Sequence, residues 1–305
     1  MAPLPLERPV FGKYGSRFYG IPLIMDILEE HQLRATFFTE VFCAYVLGHE
    51  EVAKVLRLIR ERGHDAQLHL HPTYRFYRDF LAGQPRRETD LVYQLTAEEQ
   101  RDLIGEGVHL FRELSGHLPR AYRAGCYGGS EITLQALREN DVKIDSSYNL
   151  AYLGYTCGFQ AQGLNAPVVM EGVQEFPVTV FRVAGSQGYK PLEISAVSVK
   201  EILMTMRGLQ NAGCRDIVLV LHSFSLLKNL GVCYDHYRPD HIVIRRLRKL
   251  CAALAELKDE VEVAVLGEAD GHSTLPPQPQ FIPSAGWLRP AMRKIVQGVN
   301  RFPWL

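Results

Sequence analysis

The sequence predicts an α/β protein built on a parallel sheet, open or closed into a barrel. Two observations point there. Short apolar, β-branched segments alternate with amphipathic helical segments along most of the 305 residues, the order that crossover connections between parallel strands require. The chain is 47% apolar with no long low-complexity tract, and it is long enough to bury a sizeable core as one barrel or as two average domains.

The elements follow in order. Ile21, Ile24, Met25 and Leu28 recur at helical spacing in residues 20–31, and RATFF (34–38) reads as a short strand. Val52, Val55, Leu56 and Ile59 share one face of a helix over 50–62, which Gly63 closes. AQLHLH (66–71) is a strand that Pro72 ends. Thr96-x-x-Glu99 is a capping box opening a helix to Gly116. Then come a strand at 121–124, a helix over 130–140 and a strand at 142–145. Residues 72–95 and 150–172 are irregular, and 175–181 is a strand. Ser198-x-x-Glu201 caps the next helix, DIVLVLH (216–222) is a buried strand, 239–257 a helix and 261–266 the last strand.

This predicts an irregular segment over 1–19, a main domain over 20–270, a Pro-rich linker over 271–286 and a basic tail over 287–305. The tail holds Arg289, Arg293, Lys294 and Arg301 and no acid. It fits a surface helix packed back through Trp287 and Ile295, or contact with an anionic surface.

Charge excludes some functions. Lys plus Arg number 34 and Asp plus Glu 34, so a phosphate-binding, nucleic-acid role has little support. No apolar run has the length of a signal sequence or of a membrane span, which predicts a cytoplasmic protein for the chain as written. The six cysteines form no CxxC pair and read as buried, reduced thiols.

The densest chemical signal is GHDAQLHLHP, residues 63–72. Strand alternation puts Gln67, His69 and His71 on one face, the two imidazoles about 7 Å apart at Cα. They stand at the strand's C-terminal end, where parallel sheets build their sites. Two imidazoles there suit a metal ion, and hydrogen-bonded polar histidines are the plainer alternative. His64, at the helix–strand junction, reads as structural. His222 ends the IVLVLHS segment (217–223) and suits a general acid or base. In YRAGCYGG (122–129) Arg123 sits on a strand that runs into glycines, placed to orient an acid or bind an anionic group.

Taken in order, ILEEHQLRATFF, GHDAQLHLHP, YRAGCYGG, DSSYN (145–149), EFPVT (175–179) and LVLHS (219–223) resemble the polysaccharide deacetylase (NodB-homology, carbohydrate esterase family 4) domain over about residues 20–266. The resemblance implies a distorted (β/α) barrel of about seven strands. It also implies a divalent metal, often zinc, that polarises an acetamide carbonyl and activates water. His69 matches the first metal histidine. Four residues later, where the family has its second, stands Thr73, and His71 is the natural substitute. Arg123 matches the arginine that orients the catalytic acid, although Gly125 replaces a common proline. His222 matches the general acid, and Asp145 and Glu175 match polar positions near the site.

The family's first strand ends in an Asp-Asp type motif that supplies the base and the third ligand. Residues 1–19 contain no Asp. Either a first strand lies upstream of Met1, or another acid is recruited, with Glu40 the best local candidate and Asp65 a weaker one. Tyr74 and Tyr127 are candidate sugar-contacting aromatics, with Glu175 beside the substrate, and Tyr148, Tyr152 and Tyr155 are further aromatics in or beside the irregular stretches. The expected activity is metal-dependent hydrolysis of a non-peptide C–N bond, deacetylating an N-acetylated sugar or glycan. A catalytically impaired barrel that binds carbohydrate or a partner protein is the alternative. An amidohydrolase-type enzyme fits less well, because its H-x-H ends the first strand of its barrel.

Overall fold

A computed structural model describes residues 5–183, 188–231, 235–269 and 275–285. The chain divides into two compact units. Of the described residues, the first comprises 34–177, 264–269 and 275–277, and the second comprises 5–33, 178–183, 188–231, 235–263 and 278–285.

The first unit is a mixed sheet with helices on its connections. Its strands are β1 (Thr36–Glu40), β2 (Asp65–Leu70), β3 (Ala121–Ala124), β4 (Ile144–Asp145), β5 (Val168–Met170) and β6 (Val173–Glu175). The order is β1-β2-β3-β4-β6-β5. Every pair is parallel except β5–β6, a hairpin turned by Glu171 and Gly172, both at positive φ. The predicted α/β character and parallel pairing are both present. The sheet's hydrogen bonding does not close on itself among the described residues.

The crossovers carry α1 (His49–Glu61), α2 (Pro72–Leu81), α3 (Ala97–Ser115) and α4 (Glu131–Glu139). Val52, Val55, Leu56 and Ile59 form the buried face of α1 as their spacing predicts. Both halves of the Thr96–Glu99 capping box form on α3, and left-handed Gly116 ends it. Helix α2 departs from the sequence reading, which left 72–95 irregular. Pro72 ends β2 and also starts a helix, because at the first helical position its missing N–H leaves nothing unsatisfied. Arg75 and Arg78 then pair with Glu106 of α3.

The second unit contains helices Ile21–Glu29, Val199–Asn211 and His241–Glu256. The Ser198–Glu201 capping box forms as expected. Strand Val180–Val183 pairs with Tyr189–Pro191 and with Ser284–Ala285, within the stretch predicted as linker. The strand expected over 175–181 is divided instead between the two units. Pro177 has no N–H to extend a ladder, so β6 stops at Glu175 and a new strand starts at Val180.

The strand expected over 216–222 is reduced to one bridge, Glu193 to Val220. Val218 N–H donates to the Thr179 hydroxyl where a strand partner would offer a carbonyl. Residues 261–265 form no ladder either, ending in a 3₁₀ turn at Leu266–Glu268. The basic tail, 287–305, lies outside the described residues. No helix among the described residues is long and apolar enough to cross a membrane.

Candidate active site at the C-terminal ends of three strands

Glu40 is the register partner of His69, and His69 of Arg123. One row of the sheet, at the C-terminal ends of β1, β2 and β3, therefore carries a carboxylate, an imidazole and a guanidinium. Register partners in parallel strands project to one face, and all three residues are half-buried. His71 follows one residue beyond β2 and serves as the N-cap of α2. Its ring meets that of His69 edge to face, centroids 4.9 Å apart.

Each histidine has its Nδ1 engaged. His69 Nδ1 lies 2.6 Å from the Arg123 carbonyl oxygen, which can only accept, so His69 carries its proton there. His71 Nδ1 lies 2.6 Å from Asp90 Oδ2. Asp90 Oδ1 in turn accepts from the Thr73 hydroxyl at 2.5 Å and from the Thr73 N–H. Burial works against a charged His71 ring, but the Asp90 hydrogen bond and charge, with Glu40, outweigh it and raise its pKa. Burial also acts to raise the Asp90 pKa, and bonding to His71 and Thr73 leaves it below the ordinary carboxylate value.

Glu40 ties the ends of β1 and β2 together. Its Oε1 accepts from Phe42 N–H at 2.6 Å, and its Oε2 accepts from His71 N–H. Burial pushes the carboxyl up to about 8, against the lowering effects of His71 and the two N–H groups.

Arg123 donates through Nε to the Ser146 carbonyl and through Nη2 to the Ser146 hydroxyl, and its guanidinium lies 4.5 Å from the Phe38 ring centre. Burial lowers its pKa, while Tyr127, Asp145 and Glu175 support its charge. The carboxylate contact expected of an inward strand arginine is thus replaced by a hydroxyl and a carbonyl, with acids supplying only the field.

Those acids occupy a different setting from the one expected. Asp145 and Glu175 are register partners on β4 and β6 and are both fully buried. A buried carboxyl cannot contact a sugar, so Glu175 is an internal partner of Asp145. Desolvation raises both pKa values, that of Glu175 further because of Asp145. Ser147 binds both oxygens of Asp145, and Tyr148 N–H binds Glu175.

Tyr74 is half-buried, its phenol pushed up to about 12 by burial, with Cys43, Glu40 and Asp90 adding to the effect. Tyr127 is half-buried and stacks on Tyr152, ring centres 5.7 Å apart. Asp65 is held at the N-terminal end of β2 by Thr36, Gln67 and Gly267 N–H, at the other end of the strand from the histidines. His64 accepts from Ala35 N–H, a structural role.

His222 belongs to the second unit. It opens a turn closed by Ser225, its ring stacks on Phe224, and its Nδ1 lies 3.9 Å from a Glu193 oxygen.

Sequence reading missed Asp90 and Cys126. Asp90 lies in the polar run GQPRRETD, where nothing distinguishes it from the other charges. The sequence predicts Cys126 to be a buried thiol like the others. Cys43, Cys157, Cys214 and Cys251 are buried, but Cys126 is exposed at the turn after β3, at φ 54°, with its thiol 3.7 Å from Asp90 Oδ2. Cys233 lies outside the described residues. His71, Asp90 and Cys126 bring one ring nitrogen, one carboxylate oxygen and one thiol within 4.8 Å of one another. This donor set, with His69 beside it, suits a divalent cation of the zinc class.

No protein-family model matches the chain, and no curated protein matches it. Solved structures do. One is a Mycobacterium smegmatis protein provisionally named a polysaccharide deacetylase. It matches with a TM-score of 0.53 and 18% identity, over 88% of this chain and 82% of that one. A family 4 carbohydrate esterase from Streptomyces lividans matches with a TM-score of 0.45 and 11% identity, over 88% and 99%. A CE4 family pseudoenzyme from Bacillus anthracis matches with a TM-score of 0.43 and 12% identity, over 81% and 59%. The first of these likenesses establishes a common fold: the chain has the α/β architecture of the mycobacterial protein.

Proposed function

We propose that this chain is a metal-dependent hydrolase of a non-peptide C–N bond that removes the acetyl group from an N-acetylated sugar or glycan. The observation that carries the reading is the row Glu40–His69–Arg123 with His71 at its end. The distorted-barrel arrangement implied by the family resemblance is part of the same reading.

In a neutral imidazole whose Nδ1 holds the proton, the lone pair is on Nε2. Metal-binding histidines commonly donate their other nitrogen to a carbonyl or carboxylate in this way. His69 and His71 are accordingly assigned as ligands through Nε2, with Glu40 as the recruited acid. Each Glu40 oxygen has a second lone pair beyond the N–H it accepts. A bound zinc-class cation supplies Lewis acidity toward an amide carbonyl and lowers the pKa of water. Arg123 holds positive charge at the end of the row and is itself fixed by Ser146. Tyr74 and Tyr127 are assigned to the sugar. Asp145 keeps the role of supporting Arg123 electrostatically.

The test is acetate release from an oligomer of N-acetylglucosamine with zinc supplied. Chelator should abolish it, and His69→Ala and His71→Ala should each lower kcat/KM by about 100-fold or more. Absence of acetate release from the folded, zinc-supplied chain would sink the reading. One observation favours an impaired binding protein instead: both Glu40 oxygens already serve the backbone. Glycan and zinc binding without turnover would establish that alternative.

A further inference from the structure

We propose that Asp90 is a positioning residue for His71, holding the Nδ1–H tautomer so that Nε2 faces outward as the donor, and that Thr73 is the clamp that aims Asp90. The inference rests on the reading of His71 as a metal ligand, and its central residue, Asp90, belongs to no motif of the sequence.

Four contacts define the arrangement. The His71 ring meets Asp90 Oδ2 at 2.6 Å. Thr73 takes the other oxygen with its hydroxyl at 2.5 Å and reinforces it with its N–H at 3.4 Å. The His71 main chain is pinned through its N–H to Glu40. Gly125 leaves the space the ring fills, since a Cβ there would come within 2.6 Å of Nδ1. The imidazole is thus fixed at its backbone, at one ring nitrogen and against the turn after β3. Four separate segments, the end of β1, the β2–α2 junction, the loop before residue 92 and that turn, must meet to produce this.

The cluster admits a competing reading, in which Asp90 and Cys126 bind the cation directly with His71. The geometry favours positioning. An oxygen and a nitrogen bound at about 2.1 Å to one tetrahedral ion stand roughly 3.4 Å apart. The 2.6 Å separation is instead that of a hydrogen bond. A carboxylate already gripped through its other oxygen by Thr73 is the outer partner expected of a metal-binding histidine.

Two measurements on the full chain test this. The first needs no metal. Long-range nitrogen–proton NMR of metal-free protein should show His71 protonated at Nδ1, and Asp90→Ala should release it toward the Nε2–H form that predominates in a free histidine side chain. An Nε2–H tautomer in the parent chain overturns the proposal. The second is zinc titration by calorimetry. Asp90→Ala should weaken binding 10- to 100-fold with one-to-one stoichiometry kept, Thr73→Val should weaken it less, and His71→Ala should abolish it. Asp90→Asn, which keeps an acceptor for Nδ1–H, should recover part of the loss. Unchanged affinity in Asp90→Ala would reduce Asp90 to a structural role. Complete loss, together with a thiolate-to-metal charge-transfer band on cobalt substitution that Cys126→Ser removes, would make Asp90 and Cys126 ligands and overturn positioning. If the parent chain binds no zinc, the hydrolase reading fails, and the tautomer measurement still decides the role of Asp90.

Discussion

At Asp145 and Glu175 two carboxyls face one another inside the protein, and their chemistry follows from that placement. Glu175 Oε2 is buried with no protein donor, so a proton shared with Asp145 is the way to satisfy it. Both groups have pKa values raised above the ordinary range, by burial first. A raised carboxyl favours the folded state fully below its unfolded value, near 4, and that contribution is lost as pH rises through the folded value. Stability of the parent chain should therefore decline with increasing pH in this window. Glu175→Gln keeps a neutral group of the same shape and should flatten the decline. Urea midpoints measured from pH 4 to 9 will show whether the gap between variant and parent widens with pH, and parallel curves would refute the shared proton.

Elements place these residues through contacts that leave no room for a side chain. Gly107 lies in the middle of α3, where alanine ordinarily favours a helix by about 1 kcal/mol. Here a Cβ would meet both Leu70 Cδ atoms at 2.7 Å, and Leu70 is fully buried on β2, next to His69 in sequence and on the opposite face of the strand. Gly107→Ala is expected to destabilise by roughly 1–3 kcal/mol despite the better propensity, as overpacking does. Denaturant unfolding of this variant, beside Gly116→Ala for the left-handed cap, measures both effects. The β2–α2 junction shows a second role for an element end. Pro72 stops the strand and starts the helix, so His71 becomes an N-cap and Thr73 comes to bond Asp90 rather than to offer a ring nitrogen at that position. Thr73 has its own task at this junction, the double contact with Asp90.

Across the molecule the five described cysteines are free thiols, four buried and one exposed. Burial pushes the Cys126 thiol up to about 11, with Asp90 adding to it, so its alkylation at neutral pH should be slow for an exposed cysteine. Peptide mapping after iodoacetamide treatment should find Cys126 modified first, with Cys43, Cys157, Cys214 and Cys251 modified only after unfolding. Early modification of those four would show that the packing around them opens in the native state.

Local features of this fold were legible in the chain because they depend on neighbours in sequence. Capping boxes at Thr96 and Ser198, the buried face of α1 and the strand carrying His69 all follow from spacing, and the structure contains each of them. The positions of His69 and Arg123 at strand ends were legible for the same reason. Strand status at 216–222 was not, because a ladder depends on what the partner offers, and here it offers Val218 N–H a threonine hydroxyl and leaves a single bridge at Val220. The burial of Asp145 with Glu175 and the approach of Asp90 to His71 were likewise beyond sequence reading. The first joins residues thirty apart across two strands, and the second joins a loop acid to a strand end nineteen residues away. The sequence by itself determined the α/β class and which residue types stand at the strand ends. Only the tertiary structure decided which of them meet, because register and loop placement are set by contacts distant in sequence that periodicity does not encode.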